Sequence, residues 1–224
     1  MNKQQIQHIC SALLFDLDGT LVDSSTCIER HWRRWAAKHD LDLAQIMKIH
    51  SGRRTIETMR QVAPHLDLKR EAAEFGAAEA ADTDGIVALA GAAELLATLP
   101  THRWGIVTSC PRLLAVNRLT CVGLPIPPVL VTSEDVHNGK PAPDPYLLGA
   151  EKLGIAPEAC LAVEDAPAGI KSACTAKMTV LAVTTTHARK ALADAHLVVD
   201  GLPSVRITHG MDASGQRLLV HIAS

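Results

Sequence analysis

Aromatic residues are scarce in this sequence: three Trp, two Phe and one Tyr among 224 positions. So few rings leave little with which to stack the bases of a nucleic acid. Charge of one sign is not in excess either; the net of −2 provides no basic surface of the kind a phosphate backbone requires. No uninterrupted apolar stretch approaches the ~18 residues of a membrane span. The polar start, Met1 to Ser11, lacks the apolar centre of a secretory signal. The six cysteines (10, 27, 110, 121, 160 and 174) form no CxxC pair, and the eleven histidines form no HExxH, so the common zinc spacings are missing. The cysteines fall in apolar or helical settings and read as buried small hydrophobes in a reducing compartment. The expectation is a cytoplasmic protein, a monomer, that meets neither nucleic acid nor membrane.

What is present suits a soluble globular protein with a sizeable core. Hydrophobic residues make up 47% and charged residues 21%, and the length fits one large domain or a core carrying a small insertion. Five β-rich runs stand at 13–18, 104–108, 129–132, 160–163 and 179–184, with helical patterns at 111–121, 145–153 and 167–176. Strand alternating with helix predicts a parallel sheet covered on both faces. Ligands of such sheets bind beyond the carboxyl ends of the strands. There the chain keeps polar residues: Asp16 and Asp18, Thr108 and Ser109, Glu164 and Asp165.

The segment Leu13-Leu14-Phe15-Asp16-Leu17-Asp18-Gly19-Thr20 is the most informative. Its apolar run delivers two carboxylates, two residues apart and so on one side of the chain, into a glycine turn. One could serve as nucleophile while its neighbour moves protons. A calcium loop beginning at Asp16 would need Gly at position 6 and Glu at position 12; Leu21 and Cys27 stand there instead. Asp165 or a neighbour has a further use as the cap of the helix that opens near Pro167, and both roles can hold together.

From about Ser25 to Ala90 the alternation breaks and only helical patterns appear. Ile28, Trp32, Trp35 and Ala36 recur at helical spacing, Glu29 and Arg33 form an i,i+4 pair, and 68–81 is rich in Ala and Glu. Asp82-Thr83-Asp84-Gly85 reads as a return linker. Near the end, Val205–Thr208 and Arg217–Ile222 alternate around Met211-Asp212-Ala213-Ser214-Gly215, predicting a hairpin that caps one edge of the sheet.

Four segments, in order, resemble the motifs of the haloacid dehalogenase-like superfamily: DxDGT at Asp16–Thr20, the strand-end Thr108-Ser109, Gly139-Lys140-Pro141-Ala142-Pro143-Asp144, and Glu164-Asp165. The resemblance implies an α/β fold with a Rossmannoid parallel-sheet core, residues 1–24 and 91–224. It also implies an inserted all-helical C1 cap domain, residues 25–90. It implies an aspartyl-phosphate on Asp16, Asp18 as acid and base, and Thr108 and Lys140 completing the catalytic set. Thr108, Ser109 and Lys140 would hold the phosphoryl group. Mg2+ would be held by Asp16, Asp165, the Asp18 backbone carbonyl and Glu164, the last as ligand or support. Magnesium prefers such hard oxygens and few carboxylates.

Within the superfamily, dehalogenases lack the second Asp of the first motif, and phosphonatases need a cap lysine that Lys38, Lys48 and Lys69 show no context for. A receiver-type phospho-acceptor has no reason to keep Asp18 or a cap. The wording around Ile28-Glu29-Arg30-His31-Trp32, Thr83-Asp84-Gly85-Ile86 and Tyr146-Leu147-Leu148-Gly149-Ala150 is similar to bacterial broad-range sugar phosphatases acting on hexitol and deoxyhexose phosphates. The partner implied is a small phosphorylated sugar or polyol; glycerol phosphate phosphatases and β-phosphoglucomutase-like mutases are the alternatives. Gly52 and Arg53 are the cap residues expected to contact substrate, since Gly allows close backbone approach and Arg binds phosphate or polyol. The competing expectation pairs Arg53 with Glu57 along a solvated helix face.

Overall fold

The computed structural model describes residues 5–212 and 215–223. The chain opens with β1 (Gln5–Cys10), β2 (Ala12–Phe15) and β3 (Val22–Asp23). The helices α1 (Ser25–Lys38), α2 (Leu43–Ile49), α3 (Thr55–Val62) and α4 (Leu68–Ala80) follow, and then β4 (Val87–Ala88). The middle holds α5 (Ala92–Ala97), β5 (Trp104–Val107), α6 (Arg112–Cys121), β6 (Leu130–Val131) and α7 (Asp144–Leu153). The last part runs β7 (Cys160–Glu164), α8 (Pro167–Thr175), β8 (Thr179–Val183), β9 (Leu197–Val199), β10 (Val205–Asp212) and β11 (Gly215–Ala223).

The main sheet has six parallel strands in the order β6-β5-β2-β7-β8-β9. Leu13, Leu14 and Phe15 of the central β2 are wholly buried, as expected of a strand covered on both faces. The chain steps from β2 to β5 and β6 on one side, then returns across β2 to β7, β8 and β9 on the other. The switch in direction opens a crevice at the carboxyl ends of β5, β2 and β7. Asp16, Thr108 and Asp165 leave those three ends.

The four helices α1–α4 lie between β3 and β4, two short strands that pair antiparallel where the insertion leaves and rejoins the sheet. The sequence showed no strand in this interval; a two-residue ladder is too short to leave a period. The insertion has a core of its own, with Trp32, Trp35, Ile46, Met59, Ala63 and Phe75 buried together. The aromatic stripe of α1 therefore packs inside the insertion, and the Trp32 and Phe75 rings lie 4.6 Å apart.

The tail hairpin forms but does not cap the edge of the main sheet. β10 and β11 join β1 in a separate antiparallel sheet of order β1-β11-β10. Its apolar residues Val205, Ile207, Leu218, Val220 and Ile222 share a core with Leu95, Leu96 and Trp104. Pairing with β1 satisfies the second edge of β11, and the main sheet ends at β6 and β9. Of the anticipated turn, Ala213 and Ser214 lie outside the described residues, as do Met1 to Gln4 of the polar start.

Candidate active site

A cleft of about 440 Å³ lies between the ends of the parallel strands and the helical insertion. Asp16, Asp18, Thr108, Ser109 and Asp165 line it from the sheet side. Ile28, Glu29, Trp32, Met47, His50, Arg53 and Phe75 line it from the insertion. A volume of this order suits a small organic ligand.

Asp16 is almost buried and rests on Lys140, whose ammonium donates to Asp16 Oδ1 at 2.5 Å, to Glu164 Oε1 at 2.6 Å and to the Val107 carbonyl at 2.9 Å. Burial alone would push the lysine pKa down; the carboxylates of Asp16 and Glu164 outweigh it and hold it above its ordinary value. Burial lifts the Asp16 carboxyl well above its ordinary range, Glu164 and Asp165 add to that lift, and Lys140 opposes it. The structure does not bring Lys140 to the surface of the cleft, where sequence analysis put it among the substrate contacts. It lies beneath Asp16 with no exposed surface and donates to that carboxylate.

Glu164 is also enclosed. Oε1 accepts from Lys140 and from the Tyr146 hydroxyl at 2.7 Å, and Oε2 accepts from the Asp165 backbone N–H at 3.2 Å. Its oxygens come within 4.8 Å of those of Asp16 and Asp165, but Glu164 is not among the residues that line the cleft. Its hydrogen bonds make it a support for Lys140 and Asp165.

Asp165 does not cap α8; the helix begins after Ala166 with no side-chain cap. Its carboxylate instead accepts from Thr20 Oγ1 at 3.3 Å and from the Thr186 hydroxyl. Burial and then Glu164 push its pKa up to about 7, against those hydroxyls and Lys140. Gly19 has φ +86°, and a Cβ there would collide with the Asp165 carboxylate, so the turn requires glycine. Three crowded carboxylates facing one ammonium form a donor set with surplus negative charge and hard oxygen atoms. A divalent cation fits it.

Asp18 faces the cleft differently. Ser24 Oγ donates to Oδ1 at 2.6 Å and the buried Arg118 donates from Nη1 to Oδ2 at 2.7 Å. Ser24 occupies the N-cap position of α1 yet gives its hydroxyl to Asp18 rather than to the helix. Thr108 Oγ1 accepts from the Cys110 backbone N–H at 3.2 Å. The Ser109 hydroxyl donates to the Gly52 carbonyl at 2.8 Å, so it joins sheet to insertion and is already engaged.

Gly52 and Arg53 both line the cleft. Gly52 has φ +72°, and a Cβ there would press on Ala166 and Ala168 at the start of α8. The expected Arg53–Glu57 pair is not formed. The helix starts at Thr55, so Arg53 precedes it, and Arg54 pairs with Glu57 three residues on instead.

Arg118, Tyr146, Ser24 and the loop Thr185-Thr186-His187 do not stand out in the sequence as site residues. One trace was readable. Arg118 falls in the i,i+3/i+4 stripe of Leu114, Ala115 and Leu119, where a charge on the buried face of a helix demands a partner.

Fold and cleft together define a class: a capped α/β enzyme with a lysine-backed carboxylate at the switch point of a parallel sheet. Residues 13–183 match the family model described as haloacid dehalogenase-like hydrolase, and the chain belongs to that family. It is 41% identical over 204 residues to hexitol phosphatase A of Escherichia coli strain K12, covering 89% of this chain and 94% of that protein. It is 36% identical to validoxylamine A 7'-phosphate phosphatase of Streptomyces hygroscopicus subsp. limoneus, covering 88% and 96%. Among solved structures, a β-phosphoglucomutase from Clostridium difficile superposes with a TM-score of 0.77 at 25% identity, covering 86% of this chain and 92% of that one. The chain is a phosphoric monoester hydrolase of this family.

Proposed function

We propose that the protein hydrolyses small sugar or polyol phosphates (hexitol, hexose or deoxyhexose phosphates) in two steps through a phosphoryl group carried on Asp16. The observation that carries this reading is the Asp16 carboxylate, held on Lys140 and open to a cleft of sugar size. The likeness to hexitol phosphatase A, which spans insertion and sheet alike, supports the substrate class.

In the first step Asp16 attacks phosphorus, the bond to the ester oxygen breaks, and Asp18 gives a proton to the departing alcohol. In the second, water attacks phosphorus, Asp18 takes its proton, and the bond to Asp16 breaks to release phosphate. Lys140 opposes the upward push of burial on the Asp16 carboxyl and fixes its aim. Thr108 offers a hydroxyl toward the equatorial oxygens. Asp16, Asp165 and the Asp18 backbone carbonyl would hold Mg2+, with Glu164 supporting from behind. Its charge would offset the repulsion between the nucleophile and a phosphate dianion.

The insertion supplies substrate selection. Ile28, Trp32, Met47 and Phe75 present an apolar wall, with Glu29, His50 and Arg53 as polar groups beside it. Residues 25–90 act as the cap over a core of 1–24 and 91–224. The six cysteines of the described chain are all free, which supports a reducing, cytoplasmic setting, and the reading requires only a monomer. No helix among the described residues is long and apolar enough to cross a membrane.

The test is a panel of phosphate monoesters assayed with and without Mg2+, on wild type and on Asp16→Asn. Hexitol and hexose phosphates should lead, nucleoside monophosphates should trail, and chelation should abolish turnover. Asp16→Asn should fall to background. More than a few per cent residual activity in that variant would overturn the nucleophile, and a lead for glycerol phosphates would shift the substrate class.

A further inference from the structure

The buried Arg118 lies at the back of the cleft between two carboxylates from different parts of the fold. It belongs to α6, which follows the strand-end Thr108. Nη1 donates to Asp18 Oδ2, and Nη2 donates to Glu79 Oε1, each at 2.7 Å. Glu79 sits in the last turn of α4, in the helical insertion, and is itself buried. A second bond joins the same two helices nearby, from Asn117 Nδ2 to the Ala80 carbonyl at 2.8 Å.

We propose that Arg118 is a positioning residue for Asp18, and that Glu79 makes this positioning depend on where the cap sits. The proposal rests on the phosphatase reading, in which Asp18 exchanges a proton with the leaving alcohol and then with water.

A guanidinium only donates, so the oxygen it holds is fixed as an acceptor. The other Asp18 oxygen, Oδ1, faces the Ser24 hydroxyl, which both donates and accepts. Arg118 therefore sets the rotation of the Asp18 carboxylate and leaves Oδ1 as the oxygen that deals with substrate. Glu79 anchors the opposite end of the guanidinium and stops it from swivelling. When the cap moves away, that anchor leaves with α4 and Asp18 loses its fixed orientation.

A role in stability alone accounts for the triad less well. A buried ion triad is often no more stabilising than apolar side chains of the same volume. Arg118 Nε moreover has no hydrogen-bond partner among the described residues. The side chain is placed to reach both carboxylates and not to satisfy all of its donors.

The experiment compares sorbitol 6-phosphate, a poor leaving group that needs an acid, with p-nitrophenyl phosphate, a good one that does not. The variants are Arg118→Met, Arg118→Lys, Glu79→Ala and the double Arg118→Met/Glu79→Met, each measured alone and in an Asp18→Asn background. Acid–base groups supply ~10²–10⁴-fold. In pre-steady-state release of the alcohol, which reports the first step alone, loss of orientation should therefore slow sorbitol 6-phosphate by about 10-fold or more. On p-nitrophenyl phosphate the loss in that step should stay within about 3-fold, while the hydrolytic step, in which Asp18 acts as base, should slow alike for both substrates. Arg118→Lys, which reaches one carboxylate but not both, should fall between.

The effects of Arg118 and Glu79 should not add. In the Asp18→Asn background the split between the two substrates should vanish. Arg118→Met leaves Glu79 buried without a partner; if it fails to fold, the double variant, which removes both charges, carries the test. Equal first-step losses on the two substrates, or additive losses, would overturn the proposal while leaving the phosphatase reading intact. An inactive wild type or an active Asp16→Asn would instead overturn that reading first.

Discussion

At the scale of single residues, the chemistry of this chain depends on charges buried together. Lys140 has no exposed surface and joins Asp16 to Glu164, which in turn takes the only tyrosine hydroxyl in the sequence. Removing one member of such a cluster leaves an uncompensated buried charge, typically at a cost of about 3–5 kcal/mol. In a domain of this size each kcal/mol shifts the melting midpoint by roughly 2–4 °C. Lys140→Met should therefore lose turnover and melt at least ~6 °C below wild type, measured by thermal denaturation at pH 7.5. A shift under ~2 °C would mean that Asp16 and Glu164 find other partners. The acidic residues of this cluster were legible because short carboxylate and lysine motifs stand at strand ends. Tyr146 and Arg118 were not: their partners are 18 and 100 positions away, and no spacing rule connects them. Ser24 left no such signal either: it stands at the cap position just ahead of a helix, yet its hydroxyl donates to Asp18.

At the scale of elements, α1 and α4 are joined by a polar knot beneath their apolar contact. The buried Glu71 of α4 accepts from Trp35 Nε1 at 2.9 Å and Lys38 Nζ at 3.0 Å, and lies 2.9 Å from His39 Nε2. Burial pushes its pKa up, but the hydrogen bonds from Lys38, His39 and Trp35 outweigh it and bring it to about 2, from an ordinary 4.5. A carboxylate depressed in this way stabilises the fold fully above its unfolded pKa and loses that contribution as pH falls toward the folded one. Wild type should therefore exceed Glu71→Gln in stability at pH 7, with the gap closing between about pH 5 and pH 2. Urea midpoints at steps through that range would show it, and a gap that stayed constant would sink the assignment. The five strand runs and three core helices were readable because strand period and helical period differ so plainly. β1, β3, β4 and β9 escaped, being two or three residues long or, for β1, set in a polar stretch whose partner lies more than 200 residues away.

At the scale of the whole molecule, the insertion and the sheet keep separate cores and meet across the cleft through a few polar bonds. Besides the Arg118 triad these include Asn117 to the Ala80 carbonyl, Ser109 to the Gly52 carbonyl and Arg54 to the Val136 carbonyl. The fold is similar to that of the superposed β-phosphoglucomutase, so fold alone does not separate hydrolysis from isomerisation. In the mechanism proposed above, the difference would lie in how long the phosphoryl group on Asp16 is kept from water. The resemblance to such mutases ties that control to a histidine in the first cap helix, twelve residues beyond the nucleophile. Here the position is Ile28, which lines the cleft and can neither donate nor accept a hydrogen bond. The nearest histidine in the helix, His31, is turned away from the cleft, with Nε2 at 3.0 Å from Asp82 Oδ2, and Arg30 holds the same carboxylate. It cannot take over without unwinding α1. With an apolar side chain at the gate position, water should capture the phosphoryl group before a second sugar hydroxyl does. In phosphorus NMR of β-glucose 1-phosphate with a bisphosphate primer, inorganic phosphate should accumulate from the start. Sustained formation of glucose 6-phosphate would show that another group in the cleft keeps water out, and that the enzyme isomerises.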